Sequence, residues 1–234
     1  MISVAIIGHG NVGTHLYNAL HIVKDVEVVQ INSRDLTTLK KVDVTVIAVS
    51  DDAIGKVSAN IENTLVVHTS GAVNIQVLKN SSNKGVFYPL QTFSKDSIVD
   101  FTTIPICLEA ENKKDLMLLE RLARMISSQV YHIDSEQRKN IHVAAVFVNN
   151  FVNHMYTMAY DICKEHHLPF EILQPLITET ANKIQSLSPS EAQTGPAKRN
   201  DMQTIQNHLT LLNQQQQEIY TKLTQSIQNY GKKL

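Results

Sequence analysis

Short apolar runs recur through the first half of the chain: Val4–Ile7, Val26–Ile31, Val42–Val49, Thr64–His68, Gly85–Tyr88, Ile104–Leu108 and Val130–Ile133. Several are continuous, not alternating, which is the pattern of strands covered on both faces of a parallel sheet. Between them lie stretches of helical spacing: Val12–Val23, Leu36–Lys41, Ala53–Ile61, Ile75–Lys79 and Lys113–Ser127. This alternation predicts a doubly wound α/β unit with a mainly parallel sheet. After Asp134 the strand runs stop. Ser135–His167 reads as one long helix ended before Pro169, Glu171–Ser186 as a second, and Pro189 can open a short third. Gln193–Asn200 reads as a polar loop around Gly195-Pro196, and Asp201 as the N-cap of a final helical stretch toward Tyr230. Gln214–Gln217 reads as a solvated helix surface or a helix–helix junction. The chain therefore divides into 1–133, an α/β domain, and 134–234, an all-helical domain, with no flexible linker between them.

The predicted helix from Ser135 is apolar almost all round from Ala144 to Ala159, so it is expected to be buried. Into it are set His142, Asn149, Asn150, Asn153 and His154. Regular helical spacing puts His142, Asn149, Asn153 and Tyr156 on one face and pairs Asn150 with His154. Each buried polar group without a partner costs on the order of 1–3 kcal/mol, so such a cluster implies either a ligand cleft or a satisfied network between helices or chains. In the first case His142 suits a general acid, Asn150 can orient a carbonyl or carboxamide, and Asn149 can contact substrate.

Composition narrows the classes. The chain has 234 residues, 43% of them hydrophobic, enough for a sizeable core. A net charge of −1 argues against a nucleic-acid partner. Cys107 and Cys163 lack metal or redox spacing and read as small buried apolar residues in a reducing compartment. No apolar run reaches membrane-spanning length, and the first run reads as a strand and not as a signal peptide, so the expectation is a cytoplasmic protein with no membrane partner. No metal site is expected.

The sharpest chemical signal is Gly8-His9-Gly10-Asn11-Val12-Gly13, placed directly after the first strand and opening the first helix. In that context the first glycine makes a tight turn, the second admits a pyrophosphate, the third lets helix and strand pack closely, and the helix amides face the phosphates. The second strand then ends in Asn32-Ser33-Arg34, where an NAD site usually carries Asp or Glu. Neutral Asn32 and Ser33 remove repulsion of a 2′-phosphate, and Arg34 can clamp it, so NADP is favoured over NAD; Asp35, or a plain surface role for Arg34, is the alternative. The third strand delivers Val49, Ser50 and Asp51 to the cofactor edge, although Asp51 or Asp52 is equally suited to cap the next helix. The fourth delivers His68 and Ser70, with His68 either a substrate contact or a satisfied half-buried histidine. Lys198 and Arg199, on the Gly195-Pro196 loop, can bind a substrate carboxylate or simply lie on a solvated basic loop.

These motifs occur together with Tyr88-Pro89-Leu90-Gln91-Thr92-Phe93, His142-x-Ala144-Ala145 and Thr194-Gly195-Pro196-x-x-Arg199-x-Asp201. The whole resembles a bacterial family that joins a Rossmann-like NADP-binding domain to an all-helical C-terminal domain of unknown function. It is more distantly similar to pyrroline-5-carboxylate reductases, deazaflavin-dependent NADP oxidoreductases and 3-hydroxyacid dehydrogenases. The resemblance implies an NADP-dependent oxidoreductase, a homodimer built by the helical domain, and a small carbonyl or imine substrate. The hydroxyacid dehydrogenases carry a lysine four residues before a helical asparagine; with Asn150 as that asparagine, Val146 stands at the lysine position. Its absence leans the likeness toward imine chemistry, and leaves a non-catalytic NADP-binding sensor or scaffold as the alternative.

Overall fold

The structure, a computed structural model, describes residues 1–62, 64–95 and 97–230. All seven apolar runs form strands: β1 (Ile2–Ile7), β2 (Val26–Ile31), β3 (Val44–Ile47), β4 (Leu65–His68), β5 (Lys84–Pro89), β6 (Ile106–Ala110) and β7 (Val130–His132). They lie in one sheet in the order β2-β1-β3-β4-β5-β6-β7. The first five are parallel, β6 runs antiparallel to β5, and β7 is parallel to β6. The period of two sorts the strand residues into two cores. Val4, Ile6, Val44, Val46, Val67 and Phe87 pack with Leu16 and Leu20 of α1 (Asn11–His21) and with Leu119 and Leu122 of α3 (Lys113–Arg124). Ala5, Ile7, Ile47, Val66, Val86 and Tyr88 pack with Ile54 and Val57 of α2 (Asp51–Ser58). Both faces are covered, as the continuous apolar runs require.

The chain separates into two compact units, 1–150 and 151–234. The sequence boundary near residue 134 gives α4 (Ser135–Ala145) to the second half, but α4 packs with the first. The reason is electrostatic. Fully buried Arg138 pairs its Nη1 with Glu109 on β6, and its Nη2 donates to the Val73 carbonyl at 2.6 Å. The Ser135 hydroxyl donates to Glu109 at 2.8 Å and accepts the Ile75 amide at 3.1 Å. An Asp134–Gln137 capping box starts the helix at that point.

The expected long helix is not uniform. Val146–Phe151 is a π-helical turn, and α5 (Val152–Glu165) follows. Nor is it buried: Phe147, Val148, Phe151 and Tyr160 are exposed. Leu36–Lys41 forms turns and no helix, and Ile75–Val77 is a single 3-10 turn. The second unit continues through α6 (Gln174–Lys183), α7 (Pro189–Ala192), α8 (Pro196–Arg199), α9 (Met202–Thr210) and α10 (Gln214–Tyr230). Its polar "loop" around Gly195-Pro196 thus holds a short helix, because Pro196 presets the first turn. Asp201 caps α9 as its sequence suggests, and the glutamine run opens α10 at a junction where Gln217 bonds the Leu209 and Leu212 carbonyls. Among the described residues of this unit, only Cys163, Ala197 and Ile205 are buried apolar residues.

Removing one partner of the Arg138–Glu109 pair strands a buried charge. Arg138→Ala is expected to cost about 3–5 kcal/mol in urea unfolding, and Arg138→Met with Glu109→Leu to recover a large part of that loss.

Candidate functional site

The carboxyl ends of the parallel strands share one edge, where α/β sheets bind ligands. A cavity of about 690 Å³ opens there, lined by Gly8–Val12, Ser33, Ala48–Ser50, Ala53, Thr69, Gln91–Phe93, Asn149 and Asn150. Its floor is the glycine turn. Gly8 holds φ +122°, and a Cβ there would lie 2.2 Å from the Ala48 carbonyl. A Cβ on Gly13 would lie 2.5 Å from the Gly8 carbonyl. At Gly10, by contrast, a Cβ would meet nothing within 4 Å, so the turn is tight beneath and open above. Gly10 caps α1 without any side-chain bond to the first-turn amides, which stay available to an anion. The Gln30 side chain on β2 donates to the Gly8 carbonyl at 2.8 Å and pins the turn from below. These features fit a dinucleotide pyrophosphate.

At the end of β2, Ser33 reaches the cavity wall, while the Asn32 side chain folds back to accept the Arg34 amide at 3.0 Å. Arg34 is exposed. Asp35, the alternative acid, is turned into its own loop: the Thr37 hydroxyl, then the Thr37 amide, hold its carboxyl below the usual carboxylate range. At the end of β3, Val49 and Ser50 line the wall. Neither Asp51 nor Asp52 caps α2; Ser50 holds the cap position, and both acids lie in the first turn, exposed, where they complement the helix dipole.

The end of β4 departs most from expectation. His68 is wholly buried and offers a substrate no surface. Its Nδ1 accepts the Ser70 amide at 3.1 Å, and its Nε2 has no hydrogen-bond partner. Burial, then the nearby Arg138 charge, push its pKa down to about 3, with the Asn74 backbone opposing. Ser70 likewise turns inward and accepts the Ala72 and Val73 amides at 3.2 Å. The two shape the 68–73 turn, and Thr69 alone of that turn lines the cavity.

Gln91, Thr92 and Phe93 belong to the wall, although motif spacing did not single them out as site residues. They follow β5, whose end lies on the same edge, and α1 holds them. The Asn11 side chain donates to the Phe93 carbonyl at 2.9 Å, and His15 Nε2 lies 2.8 Å from the Ser94 carbonyl. Strand order, not motif spacing, brings them in.

α4 carries His142, which is not among the residues lining that cavity. His142, half-buried, sits with Nδ1 3.2 Å from the Tyr88 hydroxyl, and the two rings meet edge to face. Burial above all pushes the Tyr88 phenol up to about 12. The π-helical turn then breaks the regular spacing that put His142 and Asn149 on one face, and sets both Asn149 and Asn150 on the cavity wall.

The remaining candidates lie in the second unit. Lys198 lines a cavity of about 300 Å³ with Gln193 and Tyr230, and Arg199 is exposed on α8. His154 lines another, of about 520 Å³, with Asp161 and His167. Among the described residues no group of three or more His, Cys, Asp or Glu gathers as a metal site, and no helix is long and apolar enough to cross a membrane. Both cysteines are free and buried.

The profile of a family described as a domain of unknown function, DUF2520, matches residues 104–227. A Bacteroides fragilis structure described provisionally as an NADP oxidoreductase shares 37% identity over 97% of this chain and 98% of its own, with a TM-score of 0.88. A Thermotoga maritima protein, TM1727, shares 21% identity over 97% of each chain, with a TM-score of 0.74. A Plasmodium falciparum pyrroline carboxylate reductase with NADP bound shares 12% identity over 97% of this chain and 98% of its own, with a TM-score of 0.61. The last two likenesses are of fold alone. No curated protein matches the sequence.

His68 yields a pH signature. Below the ordinary value of 6.5 the unfolded chain protonates this imidazole, and the folded one resists until about 3. Folded stability is therefore complete above pH 6.5 and falls as pH drops through that window, by up to about 1.4 kcal/mol per unit. His68→Asn keeps an acceptor for the Ser70 amide and does not titrate. Urea unfolding of the two proteins from pH 7 to 4 should show their stability difference shrinking or reversing in favour of the variant by that slope.

Proposed function

The chain belongs to the DUF2520 family, and we propose that it is an NADP-dependent oxidoreductase that moves a hydride between the nicotinamide and a small carbonyl or imine compound. The observation that carries this reading is the open face of Gly10 above a turn otherwise closed by Ala48, beside first-turn amides that no side chain caps. A Bacteroides relative described as acting on NADP supports it. In this reading the amides of residues 11–13 bind the pyrophosphate, and Ser33 with exposed Arg34 meets the 2′-phosphate, while the Asp35 carboxylate accepts the Thr37 amide and hydroxyl of its own loop. Bound nicotinamide supplies the hydride. Val49, Ser50 and Thr69 form the wall on the strand side, and Asn149 and Asn150 supply amides for a carboxamide or a substrate oxygen. His142 holds the proton that the substrate needs. Lys198 and Arg199 remain candidates for a substrate carboxylate.

The same reading includes a homodimer formed by the helical unit. A unit whose described residues bury only three apolar side chains while exposing Ile172, Leu176, Ile184, Leu187 and Leu211 lacks a core of its own. Such a unit requires a permanent cover, and a second copy of the same chain is the simplest one.

Two measurements test these statements. NADPH should raise the melting temperature more than NADH, by an increment corresponding to about 2.7 kcal/mol at a hundredfold excess over Kd. Arg34→Ala should abolish the preference while leaving both nucleotides bound. NADPH oxidation should then appear with at least one member of a carbonyl and imine panel, and His142→Ala should lower that turnover at least a hundredfold with the NADPH shift retained. No shift with either nucleotide would overturn the reading. For the dimer, sedimentation should give twice the chain mass at micromolar concentration, and Ile172→Glu with Leu176→Glu should give monomer or unfold the helical unit; a stable wild-type monomer would exclude it.

A further inference from the structure

The Tyr88–His142 pair decides which end of the imidazole is free, and with it the substrate class. Tyr88 is 9% exposed, and its hydroxyl has one hydrogen-bond partner among the described residues, Nδ1 of His142 at 3.2 Å. A phenol has a proton to donate, and Nδ1 is the acceptor in place. The opposite arrangement, Nδ1–H donating to the phenol oxygen, leaves the buried phenol proton without an acceptor, at the cost of an unmade hydrogen bond. A Cβ on Gly71 would lie 2.6 Å from Nδ1 and 2.7 Å from the Tyr88 ring, so both side chains are seated against bare backbone, two residues from the cavity residue Thr69. A neutral ring that accepts at Nδ1 carries its proton on Nε2, which has no partner among the described residues.

We propose that Tyr88 fixes His142 as an Nε2–H donor and stands behind it as a proton relay, so that this site acts on a carbonyl and not on a protonated imine. The proposal rests on the oxidoreductase reading above and names its substrate class. An Nε2–H group donates to a carbonyl oxygen. A protonated imine already carries a donor on its nitrogen and needs an acceptor there, which this tautomer withholds. In the reducing direction the carbonyl carbon receives the hydride and its electron pair, and the C=O π pair moves to oxygen. That oxygen takes the proton from Nε2 while Nδ1 takes the phenol proton; after release a solvent proton returns to Nε2 and Nδ1 hands its proton back to the Tyr88 phenolate. A phenol at about 12 remains a stronger acid than the alcohol formed, so the transfer runs downhill. Tyr88 is a positioning residue and His142 the group that meets substrate.

The test uses the intact protein and does not depend on knowing the substrate. Two-bond 1H–15N spectra of the histidine rings at alkaline pH should show His142 protonated at Nε2 alone, assigned by its loss in His142→Gln. Tyr88→Phe keeps the ring packing and removes the hydroxyl. It should give the mixed tautomers of a free imidazole. Gly71→Ala displaces the same contact and serves if the phenylalanine variant does not fold. With NADPH and matched carbonyl and cyclic imine panels, turnover should favour carbonyls. Tyr88→Phe should lower kcat roughly ten- to hundredfold with the NADPH shift unchanged. An Nδ1–H ring in the wild type, unchanged tautomers in Tyr88→Phe, or preferred turnover of imines would each overturn the proposal. Failure of NADPH to bind would overturn the oxidoreductase reading and the substrate class with it. The tautomer spectra report on the Tyr88–His142 pair whichever way that binding test falls.

Discussion

The buried Arg138–Glu109 pair ties together the parts of the first unit that the site depends on. One guanidinium, wholly removed from water, joins α4 to β6 through Glu109 and to the turn after β4 through the Val73 carbonyl. Ser135, one turn earlier, bridges Glu109 and the Ile75 amide. A buried charge is tolerated only when its partners are in place, so the arrangement tolerates little slippage. One turn beyond Arg138 the same helix places His142 against Tyr88 and Gly71, and its π-helical extension brings Asn149 and Asn150 to the cavity. Burial, and then the same charge, keep His68 in its neutral form. Helix docking, turn shape and the seat of the candidate acid thus share one electrostatic anchor.

Against that anchored wall stands the glycine turn, which works by subtraction. Gly8 and Gly13 have no room for a side chain because Ala48 and the turn itself fill the space, whereas Gly10 faces open cavity. The turn is held from one side by Gln30 of β2, and α1 itself holds the 91–94 segment through Asn11 and His15. The cavity lining holds no Asp, Glu, Lys or Arg and is built from amides, hydroxyls, backbone and apolar side chains, which suits a ligand that brings its own charge. The helical unit contrasts with this. Among its described residues only Cys163, Ala197 and Ile205 are buried apolar side chains, while Ile172, Leu176 and Leu211 are exposed.

The sequence and the structure diverge at identifiable places. All seven strands were legible, because a continuous apolar run five or so residues long has few alternatives to a strand covered on both faces. The glycine turn, Ser33, Val49, Ser50, Asn149 and Asn150, singled out from motif and context, line one cavity. His68, open between a substrate contact and a half-buried histidine, is wholly buried, and Ser70 accepts amides of its own turn, since nothing local says whether a polar side chain at a strand end turns outward or inward. Leu36–Lys41 has helical spacing but forms turns, with Leu36 and Leu39 still packed against the core that holds Ile54 and Val57.

By itself the sequence determined the α/β class, the strand set, the glycine turn and the change to helices after residue 134, because each follows from local periodicity or from backbone chemistry. Only the tertiary structure decided which unit α4 joins, where Tyr88 and the 91–93 segment sit, and that a π-helical turn sets two adjacent asparagines on one wall. These depend on contacts between residues far apart in the chain, such as Arg138 with Val73 and Tyr88 with His142, and a pattern along one strand or helix carries no information about which distant partner satisfies a buried charge or a buried hydroxyl.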